Sequence, residues 1–193
     1  MLRQAVRNSE IKGYHTRGMD FSRVQRSGVS TILRKGESVS ASATMRRIRL
    51  QEVWRWRDHQ TIYLDASCLS YGFDGKPLTV VDYINTRSVS GVSESGLNGV
   101  YGRGGSCAIQ HSGDVIRQDR SEGSHTVNVD LDRLSHKVAA LYITLSGYTT
   151  PLASIIRPEV RCFDPDDSSG EPLTRYELEG KPTSTNTAVL MAR

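Results

Sequence analysis

The chain has 193 residues, of which 37% are hydrophobic, and it carries a formal net charge of +4. That length suits one domain with a tail, and a domain of this size can bury an adequate core. No stretch approaches the roughly 18 consecutive apolar residues of a membrane-spanning helix, and the first residues lack the apolar segment of a secretory signal. The positive charge is unevenly placed. Residues 1–37 hold eight Lys/Arg against Glu10, Asp20 and Glu37, a surplus of five, and the remainder is about neutral. Cys68, Cys107 and Cys162 lie in apolar, strand-like contexts without CxxC spacing. Free, buried thiols in a reducing compartment are therefore expected rather than disulfides or zinc ligands.

Residues 1–28, rich in Arg, Ser and Gly, sustain neither helical nor strand periodicity. They read as a basic, flexible arm suited to an acidic partner surface, to which attraction would weaken with salt. Leu2, Ala5 and Val6 with Arg3 and Arg7 also have the composition of a mitochondrial presequence, so organelle import stands as the alternative to a cytoplasmic location. From residue 29 the pattern changes to strands. Ser30–Leu33 is the first, and Lys35-Gly36-Glu37 is a turn. In residues 45–57, MRRIRLQEVWRWR, Ile48, Leu50, Trp54 and Trp56 share one face. Arg47, Arg49, Gln51, Arg55 and Arg57 share the other, and Glu52-Val53 reads as a break in the alternation, predicting a bulge or bend. The arginine row is a candidate surface for a protein partner. Phosphate binding, and hence nucleic acid, is the lesser reading, and a solvated outer face is the plain one.

Residues 61–72 form another strand with Asp65 inside it, and a carboxylate among apolar positions needs a donor or a cation. Asp74-Gly75 predicts a tight hairpin turn, after which residues 78–85 return as its second strand. Residues 88–105 are a glycine-rich loop. Its spacing partly matches a phosphate-binding loop, but no helix pattern follows to supply an N-terminus for the anion. Residues 106–134 organise the rest of the chain. His111-Ser112-Gly113-Asp114 is a turn signal and Asp119, Glu122 and Gly123 form a polar loop. In the closing strand Val127, Val129 and Leu131 alternate with Asn128, Asp130 and Asp132. An acidic loop between strands is where a β-sandwich would hold a metal or meet a partner. Further strands are expected at 139–146, 155–163 (interrupted by Pro158), 173–178 and 187–191. About ten strands, no long helix and turns roughly every 8–15 residues predict an all-β antiparallel sandwich over residues 29–193.

The order of these motifs resembles the TerD domain, the tellurium-resistance and stress-response family. The signposts are Leu33-Arg-Lys-Gly36, Tyr63-Leu-Asp-Ala-Ser67, His111-Ser-Gly-Asp114, Val127-Asn-Val-Asp-Leu131, the Leu141 strand, Tyr176-Glu-Leu178 and Thr187-Ala-Val-Leu190. The sequence looks more like a divergent, eukaryotic-like branch, in which HSGD and a Gly-x-His before the strand recur. The resemblance implies a β-sandwich without enzymatic activity, with calcium held by acidic residues in loops at one end. Asp65 and Asp114 keep carboxylates of those motifs, and Asp119 or Glu122 could add a third. The family's dense acidic cluster is here Ser121-Glu-Gly-Ser-His125, and imidazole is a poor ligand for a hard cation. Calcium is therefore expected to be absent or weakly bound, with Asp65 and Asp114 satisfied by amides, arginine or water. No nucleophile motif, HExxH or metal triad accompanies the five histidines, so catalysis is not expected. The expected function is a non-catalytic interaction module docking through its arm and arginine face. A calcium-responsive stress-resistance domain is the alternative.

Overall fold

The structure, a computed structural model, describes residues 18–19, 30–57, 61–84, 107–147, 150–178 and 188–193. Its strands in chain order are β1 (Gly18–Met19), β2 (Thr31–Leu33), β3 (Ser38–Val39), β4 (Arg47–Arg55), β5 (Leu64–Gly72), β6 (Pro77–Val81), β7 (Ile109–His111), β8 (Val115–Arg117), β9 (Glu122–Asp130), β10 (Val138–Gly147), β11 (Ile156–Phe163), β12 (Thr174–Glu177) and β13 (Ala188–Ala192). Among the described residues the only helical pieces are two short 3₁₀ turns, Gln118–Arg120 and Leu152–Ser154. The glycine-rich loop at 88–105 and all of the arm except Gly18–Met19 lie outside the described residues.

Two sheets face each other. One runs β13-β10-β5-β6, and the other runs β2-β12-β11-β4-β9-β7, with β8 also paired to β9. The expected sandwich is present, and its pairing is antiparallel except where β2 runs parallel to β12 and β1 parallel to β3. The Asp74-Gly75 hairpin joins β5 to β6, with Gly75 at φ +76°, a backbone region that glycine enters without a Cβ penalty. None of the three cysteines is joined in a disulfide; Cys68 is buried as expected, whereas Cys107 and Cys162 are half-buried, and burial pushes Cys68 up to about 12.

Strand β4 decides where the core sits. Its alternation does not break at Glu52-Val53. The β4–β9 register runs unshifted from Arg47↔Asp130 to Arg55↔Glu122. The expected irregularity lies instead on the other neighbour, where the β4–β11 register shifts between Ile156↔Arg55 and Glu159↔Val53. Glu52 stays on the inner face with Leu50 and Trp54, and Val53 takes an outward position. The polarity of residue 52 mimics a change of face that the backbone does not make. On β9 the inward set is Gly123, His125, Val127 and Val129, all buried.

The interior holds two apolar clusters. Trp54, Trp56, Leu64, Leu145, Leu152 and Val160 make one. Cys68, Val81, Ile109, Val127, Val129 and Ile143 belong to the other. Trp54 seats its ring over Gly123, its cross-strand partner, and donates Nε1–H to the Ile62 carbonyl at 2.9 Å. A Cβ on residue 123 would lie within the Trp54 ring. Gly123→Ala is therefore expected to destabilise by about 1–3 kcal/mol, the cost of overpacking a filled core. Urea denaturation checks this, and an unchanged midpoint would mean that the ring does not rest on the strand.

Candidate functional site

The edge beside β9 is built from two short strands. β7 pairs its Ile109–His111 with Val129–Val127, and β8 pairs Val115–Arg117 with Ser124–Glu122. Between them Ser112-Gly113-Asp114 leaves the regular ladder, helped by Gly113 at φ +76°. Ser112 holds this detour to β9: its N–H donates to the Thr126 carbonyl and its Oγ accepts from the Thr126 N–H, each at 2.9 Å. The outcome is that Asp114 arrives beside the buried His125, with Oδ1 3.2 Å from Nδ1.

His125 is one of three polar side chains in a row across the inner face. Glu52 on β4 is its cross-strand partner, and His111 on β7 has its ring 5.1 Å away. The row separates the two apolar clusters. Trp54 stacks on the far side of His125, 4.6 Å between ring centres. Glu52 is 1% exposed, His125 1% and His111 2%. Both Glu52 oxygens, both His125 nitrogens and His111 Nε2 have no hydrogen-bond partner. The carbonyls of Leu64 and Gly113 lie near His125, but not at hydrogen-bonding geometry. Gly113 N–H donates to His111 Nδ1 at 2.9 Å, which assigns the His111 proton to Nε2. Burial raises the Glu52 carboxyl well above its ordinary range. It lowers His125 to about 4, helped by the neighbouring His111. Burial thus favours the neutral form of all three side chains.

Asp65 lies within electrostatic reach of Asp114 and of Asp82. Burial, then the charges of Asp114 and Asp82, raise Asp65, while burial raises Asp114 against the opposing influence of His111. Asp82 was not singled out from the sequence. Its signal is its place just after β6, whose register sets Val81 against Cys68 and so brings residue 82 near the start of β5. The other two acidic candidates go elsewhere. Glu122 lies on the outer face, where Arg55 donates to it at 2.8 and 3.0 Å and Arg117 approaches to 3.8 Å. Asp119 is in the exposed 3₁₀ turn, 3.7 Å from Arg120. Among the described residues no three His, Cys, Asp or Glu side chains already converge as metal ligands. A closed calcium shell of about six to eight oxygens does not fit this donor set, because Asp114 has the His125 imidazole 3.2 Å away and Glu122 is paired with Arg55 on the outer face.

The arginines of β4 do share the outer face, but most are engaged. Arg47 pairs with Asp166, Arg49 donates to Asn128 at 3.3 Å and Arg55 holds Glu122. Arg57 is exposed just beyond the strand. Beside them Arg161 grips Glu159 at 2.8 and 3.1 Å, and a shallow depression of about 140 Å³ is lined by Val53, Arg55, Arg157, Glu159, Arg161 and Glu177. The face is a ladder of alternating charge rather than a uniformly basic patch. Ser112 is exposed, with its Oγ accepting the Thr126 N–H, while His111 is buried, with its Nδ1 accepting the Gly113 N–H.

The two facing sheets agree with a match to the TerD domain over residues 29–193. The chain belongs to the TerD domain family. Among solved structures, this TerD domain is similar to one titled as the crystal structure of the unknown function protein SAV2460. The likeness has 16% sequence identity and a TM-score of 0.50, and covers 76% of this chain and 78% of the other. That likeness speaks to the fold alone. No curated protein matches the sequence. Among the described residues no helix is long and apolar enough to cross a membrane.

Proposed function

We propose that this TerD domain is a non-catalytic interaction module, part of a larger assembly or a stress response, in which the family's calcium site has degenerated. One observation carries the reading. The acidic residues that would close a calcium shell are dispersed, with Glu122 held by two arginines on the outer face and Asp114 set against a buried imidazole. The partner is a protein with an acidic surface. It is engaged by the basic arm, by Arg57 and by the charge ladder of Arg47, Arg49 and Arg55. Paired arginines still recognise a partner whose carboxylates can exchange with their own, which favours specificity over raw affinity. The free thiols support a reducing compartment, taken as the cytoplasm, with the mitochondrion as the alternative.

The test is capture of partners from the native source by full-length protein and by a chain beginning at Val29. The same partner should be retained less well by the shorter chain, and full-length capture should weaken between 0.05 and 0.5 M salt, because exposed charges are screened beyond about 10 Å at 0.1 M. Equal retention and equal salt response of the two chains would refute the role of the arm. The competing reading, a calcium-responsive stress-resistance domain, predicts capture that requires calcium and is lost on chelation.

A further inference from the structure

We infer that the shallow depression on the outer face of the larger sheet docks an acidic segment of a protein partner. Arg157 is the anchor, and Glu177 is a carboxylate of this chain that the partner displaces. The inference rests on the acidic-partner reading above and gives that partner a locus which the reading leaves unassigned. The first observation is in the backbone. Strand β11 takes three steps from Ile156 to Glu159 while β4 takes two from Arg55 to Val53, and within this bulge Arg157 has φ +48°. Glycine is the usual occupant of a left-handed bulge position, because a Cβ is unfavourable there. Arg157 also precedes Pro158, and a proline drives the residue before it toward extended backbone. An arginine kept where glycine would relax the strand points to a task for its side chain. The Leu178 N–H ties the bulge down by donating to the Pro158 carbonyl at 2.9 Å, which sets Glu177 beside Arg157.

The second observation is charge. The register sets Glu159 opposite Glu177 and Arg161 opposite Arg175, so like charges face each other across β11 and β12. Such pairs weaken a sheet unless other charges offset them. Arg161 forks onto Glu159, and Arg55 onto Glu122, all at hydrogen-bonding distance. Arg157 is held more loosely. Its Nε lies 3.7 Å from Glu177 Oε1, too long for a hydrogen bond, and its side chain is 75% exposed. Its guanidinium is therefore open to a carboxylate that meets it in two parallel bonds at about 2.8 Å. Size narrows the occupant further. At about 140 Å³ the depression is smaller than the roughly 300 Å³ of a small-molecule pocket. It fits an acidic side chain projecting from a partner rather than a free cofactor.

The test follows fluorescein-labelled decaglutamate binding to the full-length protein by fluorescence anisotropy, at about 0.1 M salt so that charges more than about 10 Å away are screened. Arg157→Glu is expected to weaken binding about fivefold, the upper end for an exposed ion pair. Arg46→Glu makes the same change of charge at the other end of β4, on an exposed side chain, and should cost less than about twofold. Glu177→Gln removes the internal competitor and should tighten binding about two- to fivefold, a gain that a purely structural role for the pair does not give. Arg157→Gly suits the backbone, so it should weaken binding without lowering the melting temperature. A lowered melting temperature would assign the arginine to the fold and overturn the inference. An effect of Arg157→Glu no larger than that of Arg46→Glu, or no gain from Glu177→Gln, would also overturn it, leaving the acidic-partner reading to the arm and the β4 arginines. Absence of any peptide binding by the wild type would overturn both.

Discussion

Val129→Asp should leave the protein unfolded, or melting far below the wild type, by circular dichroism and by denaturant titration. Val129 is 2% exposed and lies between Ile48 on β4 and Ile109 on β7, in the cluster that includes Cys68 and Ile143. Each of those neighbours is apolar, so a carboxylate there finds no donor and must either stay ionised without water or take up a proton. The cost is on the order of 4 kcal/mol or more, a large part of the 5–15 kcal/mol that holds a typical domain together. Val129→Ile, which keeps the pattern, should cost little beyond some overpacking. An aspartate variant as stable as the wild type would mean that β9 does not line the core.

The second large effect is a gain. Glu52→Met should raise the melting temperature, and the rise should be larger at pH 8 than at pH 5. Glu52 is buried with both oxygens unpartnered, and its carboxyl is held well above the ordinary range by burial alone. An unbranched apolar side chain of similar length removes that deficit and is expected to add about 1–3 kcal/mol. The sign of the pH effect follows from proton counting. The unfolded Glu52 loses its proton above about pH 4.5, whereas the folded one keeps it, so wild-type stability falls as pH rises toward the folded value. His125 acts in the other direction. Its folded value of about 4 lies below its ordinary 6.5, so its contribution is complete above pH 6.5 and is lost as pH falls toward 4. His111 is lowered in the same sense.

Together these groups give wild-type stability a broad maximum on the mildly acidic side of neutral. In Glu52→Met the alkaline limb should flatten while the acid limb stays. A destabilised methionine variant would show instead that Glu52 is ionised and bound to His125 as an ion pair. Thermal melts of both proteins from pH 4.5 to 9 decide between the two.

Much of this protein was determined by the sequence alone, because strand alternation is a local property. Val127, Val129 and Leu131 against Asn128, Asp130 and Asp132 place β9 and its faces without any knowledge of its neighbours, and Asp74-Gly75 places a hairpin because the turn demands a positive φ. The order of such elements carried the TerD resemblance and the two-layer fold with it. Glu52 shows the limit. In a list of residues a glutamate reads as an outward or irregular position, and only the unbroken register with β9 shows that it faces the core.

The site was legible only in part for the same reason. Asp65 and Asp114 are named by their motifs, yet whether four acidic residues share a cation depends on which side of a sheet each one leaves. Glu122 and Asp114 are eight residues apart in one loop-rich segment, but the first joins Arg55 on the outer face and the second joins His125 at the rim. Asp82 arrives through the pairing of β6 with β5, and His125 meets Glu52 and His111 through the pairing of β9 with β4 and β7. Alternation along one strand is set by its own backbone; which polar groups meet in the interior is set by how strands from distant parts of the chain are registered against each other.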